Sequence, residues 1–441
     1  MKKQLQKIVF CLFILVGFSS CKPKIDSKAI SAGEIDATTF VAIGGSMTAG
    51  FMDDALFSDG QNASIGNLLA GQLKLVGSGS FIQPLMSSNY IGCNADGKSS
   101  LRLGYKTDCL GVSSLSPIRN ASNGDINDFS QNVFSSGFNN FGIPLLGSTA
   151  LGQIGYGTTN AYFARMTSDP VTDKVLTEVL AMNPTFFSFF VGMDEVVTYA
   201  RKGGSVGTMT PVNGAEGVGF DGSIEQALND LTANGAKGIV SNIPDVTDLP
   251  YFTTIPYNGL NLTEEKAASL NQIYNPIGIY FQVGANPFMI EDPSAGTFGV
   301  RQMEQGELVL LSVPLDSVKC NSMGSLFPFR NEFVLTLTEK AEIQSKTQAY
   351  NNVLENLSIQ RNLAFVDSYS FFKKLKSGLV YNGISLSLKF VSGGVVSLDA
   401  LTFNPKGNAL LTNEFIKTIN VKYASTIPLV DVTSYRSTIF P

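Results

Sequence analysis

Histidine and tryptophan are both absent from this chain of 441 residues. Histidine is the usual general base near neutral pH and the commonest metal ligand, so any activity must work without both. Charged residues make up only 15% of the chain, and the net charge is −5 with no long basic run. This balance argues against a nucleic-acid partner. We therefore expect no metal, no cofactor and no nucleic acid.

The first twenty residues have the pattern of an export signal. Three lysines precede an apolar run over residues 8–18, which is short for a membrane span. The run leads into Phe18-Ser19-Ser20-Cys21, which resembles a bacterial lipobox. The resemblance implies removal of residues 1–20 and acylation of Cys21, whereas a plain signal with an incidental cysteine is the alternative. Residues 21–37 are then expected to form a flexible tether.

Five apolar runs, each bounded by turn residues or polar residues, predict buried parallel strands. They lie at residues 39–43, 138–146, 185–191, 238–243 and 363–367. Helical patterns stand between them, and Thr336 with Glu339 resembles a capping box at the start of one helix. This alternation predicts an α/β domain over residues 38–441, with a mostly parallel sheet and helices on both faces. A ligand site is expected outside the carboxyl ends of the strands.

Two long segments interrupt the alternation. Residues 77–136 are rich in Gly, Ser and Asn and predict a loop-rich insertion. Residues 250–330 are rich in aromatic residues and punctuated by Pro and Gly, and they predict a lobe beside the sheet. The aromatic side chains of this lobe either line a groove for a lipid, a glycan or a protein, or they pack an ordinary core.

Cysteine usage fits an exported protein. Cys93 and Cys109 flank a polar, glycine-containing stretch, and we expect a disulfide between them in an oxidising compartment. Two independent thiols are the alternative. Cys320 is then left single and is expected to behave as a small buried apolar residue.

Residues 43–50, Ile-Gly-Gly-Ser-Met-Thr-Ala-Gly, resemble the first sequence block of the GDSL, or SGNH, hydrolase family. That block places a nucleophilic serine, here Ser46, on the turn between the first strand and the first helix. Residues 140–144, 192–196 and 397–407 resemble later blocks in the family's order, and residues 234–247 and 409–420 resemble a lipoprotein branch. The resemblance covers nearly all of residues 38–441 and implies the family's three-layer α/β/α sandwich.

The family's roles fall on an incomplete set of residues. Ser46 matches the nucleophile, and Asp399 matches the acid that orients a histidine. Thr402 stands in the place of that histidine. Leu145 stands where a glycine amide helps to bind the oxyanion, and Asp194 stands where an asparagine amide completes the oxyanion hole. The resemblance therefore implies a vestigial site in which the base and the hole are both altered.

These changes have direct chemical consequences. A serine hydroxyl needs an adjacent base, and Thr402 cannot accept its proton. An ionised Asp194 would repel the developing oxyanion rather than donate to it. Ser46 then serves as a turn or cap residue, and Asp399 as a cap or ion-pair acid. Asp194 with Glu195 fits either a cation site or, as the better interpretation, a solvated loop.

The sequence predicts a non-catalytic protein that is anchored in the outer membrane by lipid on Cys21, on the periplasmic face or the cell surface. We expect it to be an accessory or structural subunit of an outer-membrane β-barrel complex for transport, export or barrel assembly. One alternative is an esterase or acylhydrolase that uses Ser46 with an atypical base such as Asp399. Another is a lipoprotein that holds a lipid or a glycan in the cleft without turnover.

Overall fold

The computed structural model describes residues 29–130, 133 and 137–441, so the predicted signal peptide and Cys21 lie outside the described residues. A five-stranded parallel sheet forms the centre of the described part. Its strands are β1 (Phe40–Gly44), β2 (Asn140–Gly142), β3 (Phe186–Phe190), β4 (Lys237–Ser241) and β5 (Ala364–Val366). Each strand falls within or overlaps one of the five apolar runs, because strands covered on both faces need apolar side chains at successive positions. The predicted parallel α/β architecture is confirmed.

The order of the strands across the sheet brings three loops together. The order is β2-β1-β3-β4-β5, and every neighbouring pair is parallel. The chain therefore places β2 on one side of β1 and then builds β3, β4 and β5 on the other side. In doubly wound sheets, a ligand crevice forms at this switch point, outside the carboxyl ends of the strands. The residues that follow β1, β2 and β3 meet there.

Helices flank the sheet, and several begin at residues suited to capping. Helix α1 (Ser46–Ala49) is the first turn after β1. The longer connections contain α2 (Ile65–Leu73), α3 (Val175–Ala181), α4 (Met193–Ala200), α5 (Phe220–Thr232), α6 (Leu337–Gln360), α7 (Ser368–Ser377) and α8 (Pro405–Lys422). The predicted capping box of Thr336 and Glu339 opens α6. Helix α8 starts earlier than the predicted residue 413, because Asn404 caps it and Pro405 suits its first turn. Among the described residues, no helix combines the length and the apolar character that a membrane span requires.

The lobe at residues 250–330 is built from small elements with their own apolar clusters. It contains the helices Pro250–Thr253, Glu264–Tyr274 and Leu315–Cys320 and the strands Leu260–Leu262, Gly284–Asn286, Met289–Glu291, Val300–Gln302 and Leu308–Val309. Phe252, Phe281 and Phe288 are buried, and Phe288 packs against the ring of Phe329. Most of the lobe's aromatic side chains therefore pack a core, whereas Tyr280 is exposed.

The insertion at residues 77–136 contains a regular element that the sequence pattern does not predict. Strand Leu101–Thr107 pairs in antiparallel register with strand Ser113–Arg119, and we call this pair the ribbon. Both strands are mostly polar or half-exposed, so they lack the apolar alternation by which a strand is recognised. Short helices Ser58–Asn62, Asn127–Ser130 and Ala161–Ala164 and the hairpin of Leu379–Tyr381 with Ile384–Leu386 complete the connections.

The predicted disulfide between Cys93 and Cys109 is wrong. Cys109 lies at the turn of the ribbon and is bonded to Cys320, the last residue of the lobe helix Leu315–Cys320. Cys93 is a buried free thiol whose Sγ donates a hydrogen bond to the carbonyl of Asn94 at 3.2 Å. Both cysteines belong to the insertion, but the turn of the ribbon extends away from the buried position of Cys93 and reaches the lobe instead.

Candidate functional site

Ser46 stands at the carboxyl end of β1. It is the first residue of α1, immediately after β1, and its amide is one of the helix N-terminal groups that lack a partner within the helix. Gly45, the N-cap residue, has no side chain to satisfy that amide. Asp194, in the first turn of α4, does so, because its Oδ2 accepts the Ser46 amide at 2.9 Å and the Ser46 hydroxyl at 2.6 Å.

A third donor reaches the same oxygen from the loop after β2. The amide of Leu145 donates to Asp194 Oδ2 at 2.7 Å. Leu145 has φ of 68°, in the left-handed region that favours glycine. The backbone here has a conformation that favours glycine, although the residue is a leucine. Two amides and one hydroxyl therefore converge on one carboxylate oxygen.

Asp194 is held in this position by the helix that follows β3. It is the second residue of α4, and only 7% of its surface is exposed. Burial raises the pKa of Asp194, and the hydrogen bonds from Ser46 and Leu145 act in the opposite direction. The sequence-based interpretation of a solvated loop is wrong for this residue, since the carboxylate is buried and fully engaged through Oδ2.

The absence of a side chain at residue 45 makes room for this carboxylate. A Cβ atom on Gly45 would lie 2.6 Å from both the carboxyl carbon and Oδ1 of Asp194. Real Cβ atoms do not approach other atoms so closely, and therefore a larger residue at position 45 would displace Asp194. The glycine before Ser46 is thus coupled to the aspartate at position 194.

Asp399 and Thr402 form a turn that contacts the segment after α1, since the Asp54 amide donates to Asp399 Oδ2 at 3.4 Å. Asp399 Oδ1 accepts the amides of Leu401 and Thr402, each at 2.8 Å, and its Oδ2 accepts the Thr402 hydroxyl at 2.6 Å. The hydroxyls of Thr402 and Ser397 are also hydrogen-bonded, at 2.9 Å. Within the described residues, no hydrogen bond joins this turn to Ser46. The geometry fits the interpretation of Asp399 as a cap.

One cleft nevertheless contains all five residues predicted from the sequence. Its volume is about 740 Å³, and its lining includes Ser46, Leu145, Asp194, Asp399 and Thr402. This size lies in the range of small-molecule sites. The predicted position at the carboxyl ends of the strands is therefore a real concavity. Within it, Ser46, Leu145 and Asp194 are in direct contact, while Asp399 and Thr402 stand apart from them.

The other walls of the cleft come from the ribbon and the lobe. The ribbon contributes Leu115 and Pro117, and the lobe contributes Val313 and Leu315. The Cys109–Cys320 disulfide joins these two walls beside the cleft, and ion pairs of Lys106 with Asp316 at 3.5 Å and of Lys319 with Asp108 at 2.7 Å accompany it. No local pattern in the sequence marks these residues as neighbours of Ser46.

Charged residues at the rim were also missed by sequence reasoning. Arg201 follows α4, and its guanidinium lies over the ring of Tyr251, 5.7 Å from the ring centre. Arg119 of the ribbon pairs with Asp54 from the segment after α1. Both contacts join segments far apart in the chain. In the sequence alone, neither arginine differs from an ordinary surface residue, so neither was predicted.

The geometry does not support a cation site at Asp194 and Glu195. Glu195 turns to a different set of partners: its carboxylate accepts the Ser148 amide and hydroxyl, each at 3.3 Å, and the Thr210 hydroxyl at 2.6 Å. In the part of the chain that the structure describes, no group of three or more His, Cys, Asp or Glu side chains is arranged to hold a metal ion. Glu195 instead ties the loop after β2 to the segment after α4.

Comparison of the chain with protein-family models, with curated proteins and with solved structures finds no match in any of the three. The functional argument therefore depends on the geometry of the cleft and on the chemistry of its residues.

Proposed function

We propose that this chain is a lipid-anchored, non-catalytic protein of the outer membrane, built on an SGNH-hydrolase-like fold. Two observations support the choice of fold. The strand order β2-β1-β3-β4-β5 creates a crevice beside β1, and Ser46 stands at the turn from β1 into α1. The loops after β2 and β3 supply Leu145 and Asp194, in the order of the family's blocks.

The observation that carries the proposal is the triple hydrogen bond to Asp194 Oδ2. A serine hydrolase must hold the negatively charged oxygen of its tetrahedral intermediate with donors such as these amides. Here the amides of Ser46 and Leu145 already bind a carboxylate of this chain. An incoming carbonyl oxygen would have to displace that carboxylate and then accept negative charge beside it. The chain also contains no histidine to take the proton of Ser46.

An esterase is the second candidate, and one contact favours it. The Ser46 hydroxyl donates to Asp194 at 2.6 Å, so Asp194 rather than Asp399 is the carboxylate placed to act as an atypical base. However, the oxygen that would take the proton is the same oxygen that both amides bind. The arrangement cannot activate the nucleophile and leave the oxyanion hole open at the same time. We therefore rank hydrolysis second.

The direction in which the chain leaves the domain supports a tethered arrangement. Near the start of the described chain, the Ala29 carbonyl accepts the Thr426 hydroxyl at 2.6 Å, and the Glu34 carbonyl accepts Lys237 Nζ at 2.7 Å. Lys237 opens β4, so this contact lies at the amino edge of the sheet, opposite the cleft. A lipid on Cys21 would attach to the domain through this amino edge. The cleft at the opposite edge would stay available to a partner such as an outer-membrane β-barrel protein or to a small ligand.

Two assays test this proposal. Purified mature protein would be given short-chain p-nitrophenyl esters and a fluorophosphonate probe, and we expect neither turnover nor labelling. Turnover that is lost in Ser46→Ala would overturn the non-catalytic assignment. For the anchor, Cys21→Ser should release the protein from outer membranes and from any co-purifying barrel protein. Retention of this variant in the membrane fraction would contradict the lipid tether.

A further inference from the structure

We propose that the cleft binds a zwitterionic amphiphile, with its ammonium group on Asp194 Oδ1, its anionic group on Arg201 and its apolar chain along the ribbon and lobe walls. This inference deepens the proposed function, since it requires a cleft that holds its ligand without turnover. It rests on one unpartnered oxygen, one unpaired guanidinium and the apolar walls between them.

The unpartnered oxygen belongs to a deeply buried carboxylate. All three hydrogen bonds to Asp194 end on Oδ2, and among the described residues none ends on Oδ1. Asp194 Oδ1 is not among the described side-chain atoms that are sealed from solvent without a hydrogen-bond partner, and Asp194 lines the cleft. Its carboxylate is fixed by three donors and presents a preorganised acceptor to the cleft, which suits a cationic hydrogen-bond donor.

The unpaired guanidinium stands on the same helix as that carboxylate. Arg201 follows the last residue of α4 and lines the cleft, and its charge opposes the rise that burial causes in the pKa of Asp194. It lies over the Tyr251 ring, and no carboxylate of the described residues is within ion-pair distance of it. A guanidinium supported on an aromatic face, with its planar fork free, suits a carboxylate or a phosphate group.

The remaining charges disfavour a ligand with a net negative charge. The other cations of the cleft are engaged, because Arg119 pairs with Asp54 and Lys106 with Asp316. Asp399 accepts hydrogen bonds through both of its oxygens, and Asp96 adds a further negative charge at the rim. A simple anion would meet an excess of carboxylates, and a simple cation would leave Arg201 without a partner. A zwitterion can pair with Asp194 and Arg201 together, and it adds no net charge to the cleft.

Apolar side chains line the cleft away from the two charges. The lining includes Met47, Leu115, Val197, Leu311, Val313 and Leu315. A cleft of about 740 Å³ has room for more than a charged head group. An alkyl chain would bury its surface against these walls, which is the main source of affinity for an apolar body. Two sources share this chemistry: an α-amino acid with a long alkyl side chain, and the phosphoethanolamine head of a lipid.

The test uses the full chain with Cys21→Ser, which keeps every described residue and removes anchor acyl chains that would compete for an apolar cleft. Calorimetry would compare 2-aminododecanoic acid, dodecylphosphoethanolamine, dodecylamine, dodecanoic acid and dodecanol, all below their micellar concentrations. At least one zwitterion should bind about tenfold or more tightly than each singly charged or neutral analogue, because each charged head group adds a charge-assisted hydrogen bond. The stronger of the two zwitterions identifies the source of the ligand.

Variants separate a binding role from a structural one. Asp194→Asn should remove the preference for ligands with an ammonium group, and Arg201→Gln should remove the preference for ligands with an anionic group. Each preference is therefore taken as the ratio of the zwitterion's affinity to that of dodecanol in the same variant, which cancels a change in the apolar walls. Arg330→Gln is the matched control, since Arg330 also lies over an aromatic ring, that of Phe333 at 5.5 Å, and it does not line the cleft. Its ligand preferences should equal those of the parent chain.

Three results would overturn the inference: equal affinity for dodecanol and the zwitterions, preferences unchanged by both variants, or no binding by any of the five compounds. None of these results bears on the non-catalytic assignment, which would be wrong only if Ser46-dependent ester turnover were found. Conversely, turnover by the parent chain would remove the proposed function even if the zwitterions bind.

Discussion

Gly45 and Asp194 compete for one space, because a Cβ atom on Gly45 would lie 2.6 Å from the carboxyl carbon of Asp194. Asp194 can bind the amides of Ser46 and Leu145 only while residue 45 has no side chain. The residues at these two positions are therefore structurally coupled. In the proposed SGNH-like fold, the Asp194 carboxylate occupies the position of the oxyanion hole.

We expect Gly45→Ala to lower the free energy of unfolding by about 1–3 kcal/mol, since it forces a close contact and disturbs a buried hydrogen-bonded carboxylate. Chemical denaturation measures the loss. Gly71→Ala is the matched control: Gly71 lies in α2 with open space around its Cβ position, and this change should stabilise the chain by about 0.5–1 kcal/mol.

The destabilisation caused by Gly45→Ala should depend on the side chain at position 194. In an Asp194→Gly background, Gly45→Ala meets no carboxylate, so its cost should fall by at least about 1 kcal/mol in a double-mutant cycle. Identical costs in the two backgrounds would show that the clash with Asp194 is not what constrains residue 45.

Ester hydrolysis should be recoverable only when the base and the hole are restored together. Thr402→His places an imidazole beside Asp399, whose carboxylate already accepts the residue 402 amide and hydroxyl. Asp194→Asn removes the negative charge from the hole and supplies an amide donor. We expect each single variant to stay inactive, and the double variant to exceed both by roughly 10²-fold or more with p-nitrophenyl acetate.

Adding Ser46→Ala to the double variant is the control for this restoration, and it should abolish the gain. A gain from Thr402→His alone would mean that Asp194 does not block the hole. A stably folded double variant without any burst of nitrophenol would contradict the assignment of Thr402 to the histidine's place.

The disulfide assignment has its own test. Peptide mapping without reduction should yield a Cys109–Cys320 linked pair and a separate Cys93 peptide. Burial raises the pKa of Cys93 to about 11, with the charges of Asp125 and Asp128 acting in the same direction, so iodoacetamide should alkylate Cys93 only after unfolding. A linked Cys93 peptide would contradict the structure.

Loss of that disulfide should be costly because it closes a long loop. The two cysteines are 211 residues apart, which corresponds to about 5 kcal/mol in the chain-entropy model. Cys109→Ser with Cys320→Ser should therefore lower the melting temperature strongly, whereas Cys93→Ser should have a smaller effect. The ion pairs of Lys106 and Lys319 across the same contact are exposed and would not compensate.

We expect the free energy of unfolding to depend on pH because of Asp53. Burial raises the pKa of Asp53 to about 6, opposed by the hydrogen bond from the Leu398 amide. The folded state therefore holds a proton that the unfolded state releases near pH 4, so this contribution to stability is present at pH 4 and is lost as the pH rises past 6. It amounts to about 3 kcal/mol.

Comparison with Asp53→Asn isolates this contribution. The substituted asparagine side chain keeps an acceptor for the Leu398 amide and tolerates the positive φ of 53° at this position, but it does not titrate. Between pH 4 and pH 7, the unfolding free energy of the parent should fall relative to that of the Asp53→Asn variant. A difference that is constant with pH would show that Asp53 titrates normally.

Elements fixed by local pattern were predictable. The apolar runs specified β1 to β5 because a strand buried on both faces carries its own signature, and the capping box of Thr336 with Glu339 marked the start of α6. The ribbon escaped prediction because its strands are held by backbone pairing and carry few buried apolar residues.

The sequence by itself determined that five strands would end near one edge and that Ser46, Asp194, Asp399 and Thr402 would lie there without a histidine. Only the tertiary structure decided what those residues do. Asp194 lies 148 residues from Ser46 and 49 from Leu145 along the chain, yet one of its oxygens binds both. Cys109 is likewise bonded to Cys320, 211 residues further along the chain. Contacts at such separations depend on how loops meet in space, and no local periodicity encodes them.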